Sequence, residues 1–168
     1  RALLDCKTPV HTAVTILTDK EETGSDGNTG LCSSYLPYFL EDLADCFGVK
    51  GRHVMHASQC LSADVNAAFD PTFPDVMEQK NCAYLNHGVC VTKFTGTSDA
   101  SAEFVGTVRR VLDNGNVVWQ TGELGKVDAG GGGTVAAYIA NLDIDTIDVG
   151  VPVLSMHAPF EVVSKLDV

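Results

Sequence analysis

Apolar residues fall along the chain in short blocks whose spacing switches between a strand period and a helix period. Residues 11–19, HTAVTILTD, are rich in β-branched and aliphatic side chains and predict a buried strand. Beyond a glycine-containing loop, Leu36, Phe39, Leu40, Leu43 and Phe47 recur at helical spacing, with Ser33 and Ser34 as candidate caps and Gly48 as the stop. Residues 52–60, RHVMHASQC, predict a second strand, and 61–75 read as a short polar stretch broken by Pro71 and Pro74. A strand is expected over 87–96, then a helix over 101–112 carrying Phe104, Val108, Val111 and Leu112 on one stripe. Asp113, Asn114 and Gly115 then turn the chain into a strand within 116–124. Four glycines open a helix over 130–142, a strand follows over 145–157, and Pro159 suits the first turn of a closing helix.

Such alternation predicts an α/β fold: one domain with a mixed, largely parallel central sheet flanked by helices on both faces. In sheets of this kind chemistry gathers where strands end. The ends of the first and last strands and the segment after the second deliver Glu22, Asp64 and His157. Carboxylate oxygen with imidazole nitrogen suits zinc, cobalt or manganese, and ligands spread over separate strands point to a catalytic site rather than a zinc knuckle. Locally, Asp64 could equally be an N-cap, and His157 could cap the closing helix or sit satisfied in the core. The adjacent Glu21 and Glu22 are either solvated loop acids or a base beside a metal ligand. His11, His53, His56 and His87 show no metal-ligand spacing and receive no role. Gly130 to Gly133 lack the pattern of a phosphate loop and are expected to permit close backbone packing.

The composition narrows the partners. The chain has 168 residues, 45% of them hydrophobic and 20% charged, with a formal net charge of -11. That charge repels phosphate backbones and anionic lipid, so neither nucleic acid nor membrane is expected as a partner. Six cysteines lie in apolar surroundings without a C-x-x-C pair, which suits reduced, buried thiols in a cytoplasmic protein. RALLD at the start resembles the tail of a helix, and PFEVVSKLDV at the end a helix without its stop; both suggest a piece of a longer protein.

LTDKEETGSDGNTG, SADVNAAFDP, GKVDAGGGGT and SMHAPFE occur in this order. Together they resemble the aminopeptidase I and aspartyl aminopeptidase family of dinuclear zinc exopeptidases, over essentially the whole chain. The resemblance implies a metalloaminopeptidase that removes N-terminal residues from peptides, with Glu21 as general base. Glu22 and His157 would then share one zinc ion and Asp64 would hold the other, with cobalt or manganese as possible substitutes. Lys126 and Asp128, in the family-like GKVDAGGGG, would lie near the substrate, although a structural turn or salt bridge explains them as well.

The departures from the family pattern bear on activity. An upstream His, its supporting Asp and the Asp that bridges the metals have no counterpart here, and the inserted dimerisation domain is absent. The chain is therefore expected to be the C-terminal portion of the catalytic domain, over residues 1–168. It should be weakly active or inactive by itself, with a homo-oligomer formed by the full-length protein. The loop after KFTG is also shorter than in relatives, which bears on the substrate pocket. The alternative is a non-catalytic α/β module that keeps the fold for assembly or ligand binding.

Overall fold

A computed structural model describes residues 1–95, 98–126, 128–129 and 132–168. Its centre is a five-stranded sheet: β1 (Gln59–Ala67), β2 (Val89–Thr92), β3 (Trp119–Thr121), β4 (Asp145–Leu154) and β5 (Val162–Val163). The order is β1-β4-β2-β3, with β5 also paired to β4. β1 runs parallel to β4 from Gln59 opposite Asp145 to Ala67 opposite Val153, and β2 is parallel to β3. Short antiparallel ladders join β2 and β5 to β4. The sheet is thus mixed and mostly parallel. β4 has neighbours on both sides, which is why its sequence is a near-continuous apolar run.

Among the described residues, five α-helices accompany the sheet: α1 (Ala2–Asp5), α2 (Tyr35–Asp45), α3 (Gly51–His56), α4 (Ala102–Asn114) and α5 (Ala136–Ala140). α4 places Phe104 and Val108 on Val91 and Ile147 of the sheet. It starts where the sequence indicates, because the Ser101 hydroxyl accepts from the Phe104 N–H at 3.1 Å. Leu36 and Leu40 of α2 pack with Ile139 of α5 and Ile144, and Met55 of α3 and Cys60 of β1 lie against them. Cys60 sits opposite Thr146, one residue out of phase with Ile147, so this second cluster covers the other face of the sheet. Among the described residues, no helix is long and apolar enough to cross a membrane.

Several predicted elements differ from what forms. Residues 11–19 make no strand ladder and are exposed throughout; their single bridge joins Asp19 to Gly30. A β-branched run favours extended backbone, but its burial depends on a partner that no described residue supplies. Residues 52–60 divide into α3 and the start of β1, because Val54 and Met55 also satisfy a helical stripe, and α3 packs on α2. β1 then occupies 61–67, where a broken polar stretch was expected, so Asp64 is a strand residue and not a helix cap.

The closing helix at Pro159 does not form; Val162 and Val163 pair with Leu154 and Val153 instead. β2, β3 and α5 are shorter than the patterns suggested, and Gly130 and Gly131 of the glycine run lie outside the described residues. The thiols also divide: Cys82 and Cys90 are buried, Cys60 is half-buried, and Cys6, Cys32 and Cys46 are exposed, all of them free.

Candidate active site and metal centre

Glu21 and Glu22 sit on a tight turn rather than on an extended strand end. Lys20 adopts a left-handed backbone (φ 61°), and Glu21–Thr23 form one turn of 3-10 helix. The Lys20 carbonyl accepts from Thr23 N–H at 3.2 Å and Ser25 N–H at 2.8 Å, so the turn is closed from below. Ser25 is 1% exposed and also left-handed (φ 57°). Gly30 packs directly on it: a Cβ there would lie 2.0 Å from the Ser25 carbonyl oxygen, so only glycine fits. The turn leaves Glu21 half-buried and Glu22 exposed, which separates two neighbouring carboxylates by environment.

His157 arrives from the other end of the chain. After β4 the backbone passes through two left-handed residues, Ser155 (φ 59°) and His157 (φ 67°). Each such residue costs about 1–3 kcal/mol, and such strain gathers at functional sites. The Glu161 carboxylate accepts from the His157 N–H at 2.6 Å and braces the bend. As a result His157 Nε2 stands 3.2 Å from Glu22 Oε2. Ligands about 2.0–2.1 Å from a tetrahedral zinc would be separated by about 3.3 Å, so the observed spacing fits two ligands of one ion.

Asp64 projects from β1 and is exposed, its Oδ1 accepting from the Val65 N–H at 2.8 Å. It acts on the same centre. Burial pushes the Glu21 carboxyl above its ordinary range, the Glu22 and Asp64 carboxylates raise it further, and His157 opposes them. Asp148, which lies opposite Ser62 on the neighbouring strand, is also pushed up by burial; the hydroxyls of Ser62 and Thr134 oppose the shift and Asp64 adds to it. Glu22 and Asp64 therefore crowd negative charge on Glu21 with only His157 to oppose them, an arrangement that a divalent cation would relieve. Among the described residues, no three His, Cys, Asp or Glu side chains are grouped so that they could hold a metal ion, so Asp64 is not gathered with Glu22 and His157. The donor chemistry fits zinc, with Glu22 and His157 already at ligand spacing.

Lys126 and Asp128 are exposed on the segment between β3 and α5. The Lys126 N–H donates to the Val76 carbonyl at 3.1 Å, and Asp128 is left-handed (φ 64°). The charged groups acting on Glu21 are Glu22, Asp64 and His157, and neither Lys126 nor Asp128 is among them. Sequence reasoning missed Glu161, although it lies within SMHAPFE, and also Asp148 and Thr134, which are joined by a 3.0 Å hydrogen bond. A lone Asp inside an apolar strand was the available signal for Asp148, since an acid in such a run needs a partner.

Residues 2–168 match the model of a family described as aminopeptidase I zinc metalloprotease (M18). A probable M18 family aminopeptidase 1 of Clostridium acetobutylicum is 45% identical over 177 residues, covering 99% of this chain and 38% of the relative. The crystal structure of aminopeptidase I from the same organism superposes with a TM-score of 0.91 at 45% identity, covering 99% of this chain and 38% of that one. The M18 aminopeptidase crystal structure from Thermotoga maritima gives 0.83 at 42% identity, covering 89% and 36%. The chain thus spans well under half the length of these relatives.

Proposed function

Because this chain belongs to the aminopeptidase I zinc metalloprotease family, we propose that it supplies the base and part of the metal-binding set of a dinuclear zinc aminopeptidase. Glu22 and His157 would hold one ion and Asp64 the other, with cobalt or manganese able to substitute. Bound zinc supplies Lewis-acid polarisation of the scissile carbonyl and lowers the pKa of water. Glu21 takes a proton from the attacking water as the new C–O bond forms, and returns it to the departing nitrogen as the C–N bond breaks. The products are the free N-terminal amino acid and the shortened peptide. The raised Glu21 carboxyl suits this exchange, since a carboxylate whose pKa lies closer to neutrality takes up the proton of water more readily.

The observation that carries the reading is the 3.2 Å approach of His157 to Glu22 beside a half-buried Glu21. Lys126 and Asp128 are proposed as outlying substrate contacts, so Lys126→Ala should raise KM more than it lowers kcat. The decisive variant is Glu21→Gln in the complete enzyme that carries this chain. On an aminoacyl amide kcat should fall about 100-fold or more, with bound zinc per chain unchanged. Wild-type kcat in that variant would remove Glu21 as the base. An enzyme that takes up no transition metal would leave the non-catalytic module as the reading.

A further inference from the structure

Next to Glu21 lies a cavity that metal binding does not use. It is bounded by Glu21, Gly24 and Ser25 on one side and by Thr134, Ala137 and Tyr138 on the other, and has a volume of about 320 Å³. None of Glu22, Asp64 and His157 lines it. The far wall is fixed to the sheet by the hydrogen bond that Thr134 Oγ1 donates to Asp148 Oδ2 at 3.0 Å. The Tyr138 hydroxyl reaches across to the Gly24 carbonyl at 3.5 Å and closes one end. At the base, the buried Ser25 hydroxyl has no hydrogen-bond partner among the described residues.

Resting on the reading of Glu21 as general base, we propose that this pocket receives the side chain of the residue following the scissile bond. The pocket would favour small uncharged side chains, alanine and serine above all. The group that returns a proton to the departing nitrogen must lie within hydrogen-bond reach of it. The residue that owns that nitrogen therefore begins beside Glu21. The carbonyl of the N-terminal residue lies instead toward the metal ligands, which have no share in this cavity. A pocket bordered by Glu21 and by none of Glu22, Asp64 and His157 is therefore assigned to the departing side of the bond. Gly24 and Ala137 take up little of the cavity, whereas the Tyr138 ring narrows it. Glu21 and Asp26 oppose an acidic side chain, as both act on the Tyr138 hydroxyl.

The test uses the complete enzyme and dipeptides with a fixed first residue and Gly, Ala, Ser, Leu or Asp second. Wild type should turn over Ala and Ser at higher kcat/KM than Leu and Asp. Ala137→Leu fills the pocket with a residue that a helix accepts nearly as well as alanine. It should lower kcat/KM for Ala and Ser relative to Gly by about tenfold or more, as expected of lost space in a specificity pocket. The ranking of first residues, measured with Gly second, should not change. A changed first-residue ranking in Ala137→Leu, or an unchanged second-residue ranking, overturns the assignment. Should Ala137→Leu not fold, a wild-type preference for Leu or Asp over Ala and Ser overturns it alone. Glu21→Gln separates the two readings: if it abolishes turnover while Ala137→Leu alters only first-residue choice, the base stands and the pocket assignment fails.

Discussion

At the scale of single residues, the site depends on carboxylates held in unequal environments. Glu21 and Glu22 are neighbours, yet the turn beginning at Lys20 half-buries one and exposes the other. Asp148 is an extreme case, only 8% exposed and pushed above the ordinary carboxylate range by burial. An acid whose pKa is higher folded than unfolded binds its proton more tightly in the native state. Its contribution to stability is complete below the unfolded value and is lost as pH rises through the folded value. Metal-free protein should therefore lose stability as pH rises from about 4 upward. Asp148→Asn should flatten that part of the profile, as checked by urea unfolding across pH. An unchanged slope in the variant would mean that Asp148 does not titrate differently on folding.

At the scale of elements, side chains tie together segments that periodicity leaves independent. Ser101 caps α4 and also donates to Asp145 Oδ1 at 3.0 Å, so one hydroxyl fixes the helix start against the first residue of β4. Near the C-terminus, Asp167 is 2% exposed and accepts from the N–H groups of Asn86 at 2.7 Å and Gly88 at 2.8 Å. It thereby holds the turn that launches β2. Hydrogen bonds to a buried charged group contribute about 1.5–3 kcal/mol each, and donors stranded in the interior add to the loss. Asp167→Ala should cost about 3 kcal/mol or more, whereas Ser101→Ala should cost about 1 kcal/mol. Denaturant midpoints at constant m-value test both, and a larger loss from Ser101→Ala would reverse the proposed ranking.

Across the whole molecule, the two apolar clusters on opposite faces of the sheet set what solvent can reach. Cys90 is 0% exposed, and burial pushes its thiol up to about 11. Thiolate, the reactive form, is then scarce at neutral pH. A thiol reagent at neutral pH should modify Cys6, Cys32 and Cys46 quickly, Cys60 slowly, and Cys82 and Cys90 only on unfolding, read by peptide mass mapping. Rapid labelling of Cys90 in native protein would contradict the packing of β2 between β3 and β4. The same view explains residues 11–17, where Val14, Ile16 and Leu17 are 43%, 46% and 92% exposed. Their apolar pattern is that of a buried strand, but a strand is buried only by the surfaces placed against it.

Local information sufficed for much of this protein. α4 was legible because its stripe, its Ser101 cap and its terminal turn act within a few residues of one another, and β4 was legible because its apolar run was too continuous for a surface strand. The motifs around Glu21, Glu22, Asp64 and His157 were also plain, since they lie in contiguous segments. Tertiary structure alone decided that 52–60 splits between α3 and β1, that Val162 and Val163 extend the sheet, and that 11–19 joins no strand ladder. It alone brought His157 to Glu22 and buried Asp148 against Thr134. The division is physical: caps and periodicity are energies of neighbours in sequence, whereas strand pairing, burial and charge crowding are energies of neighbours in space.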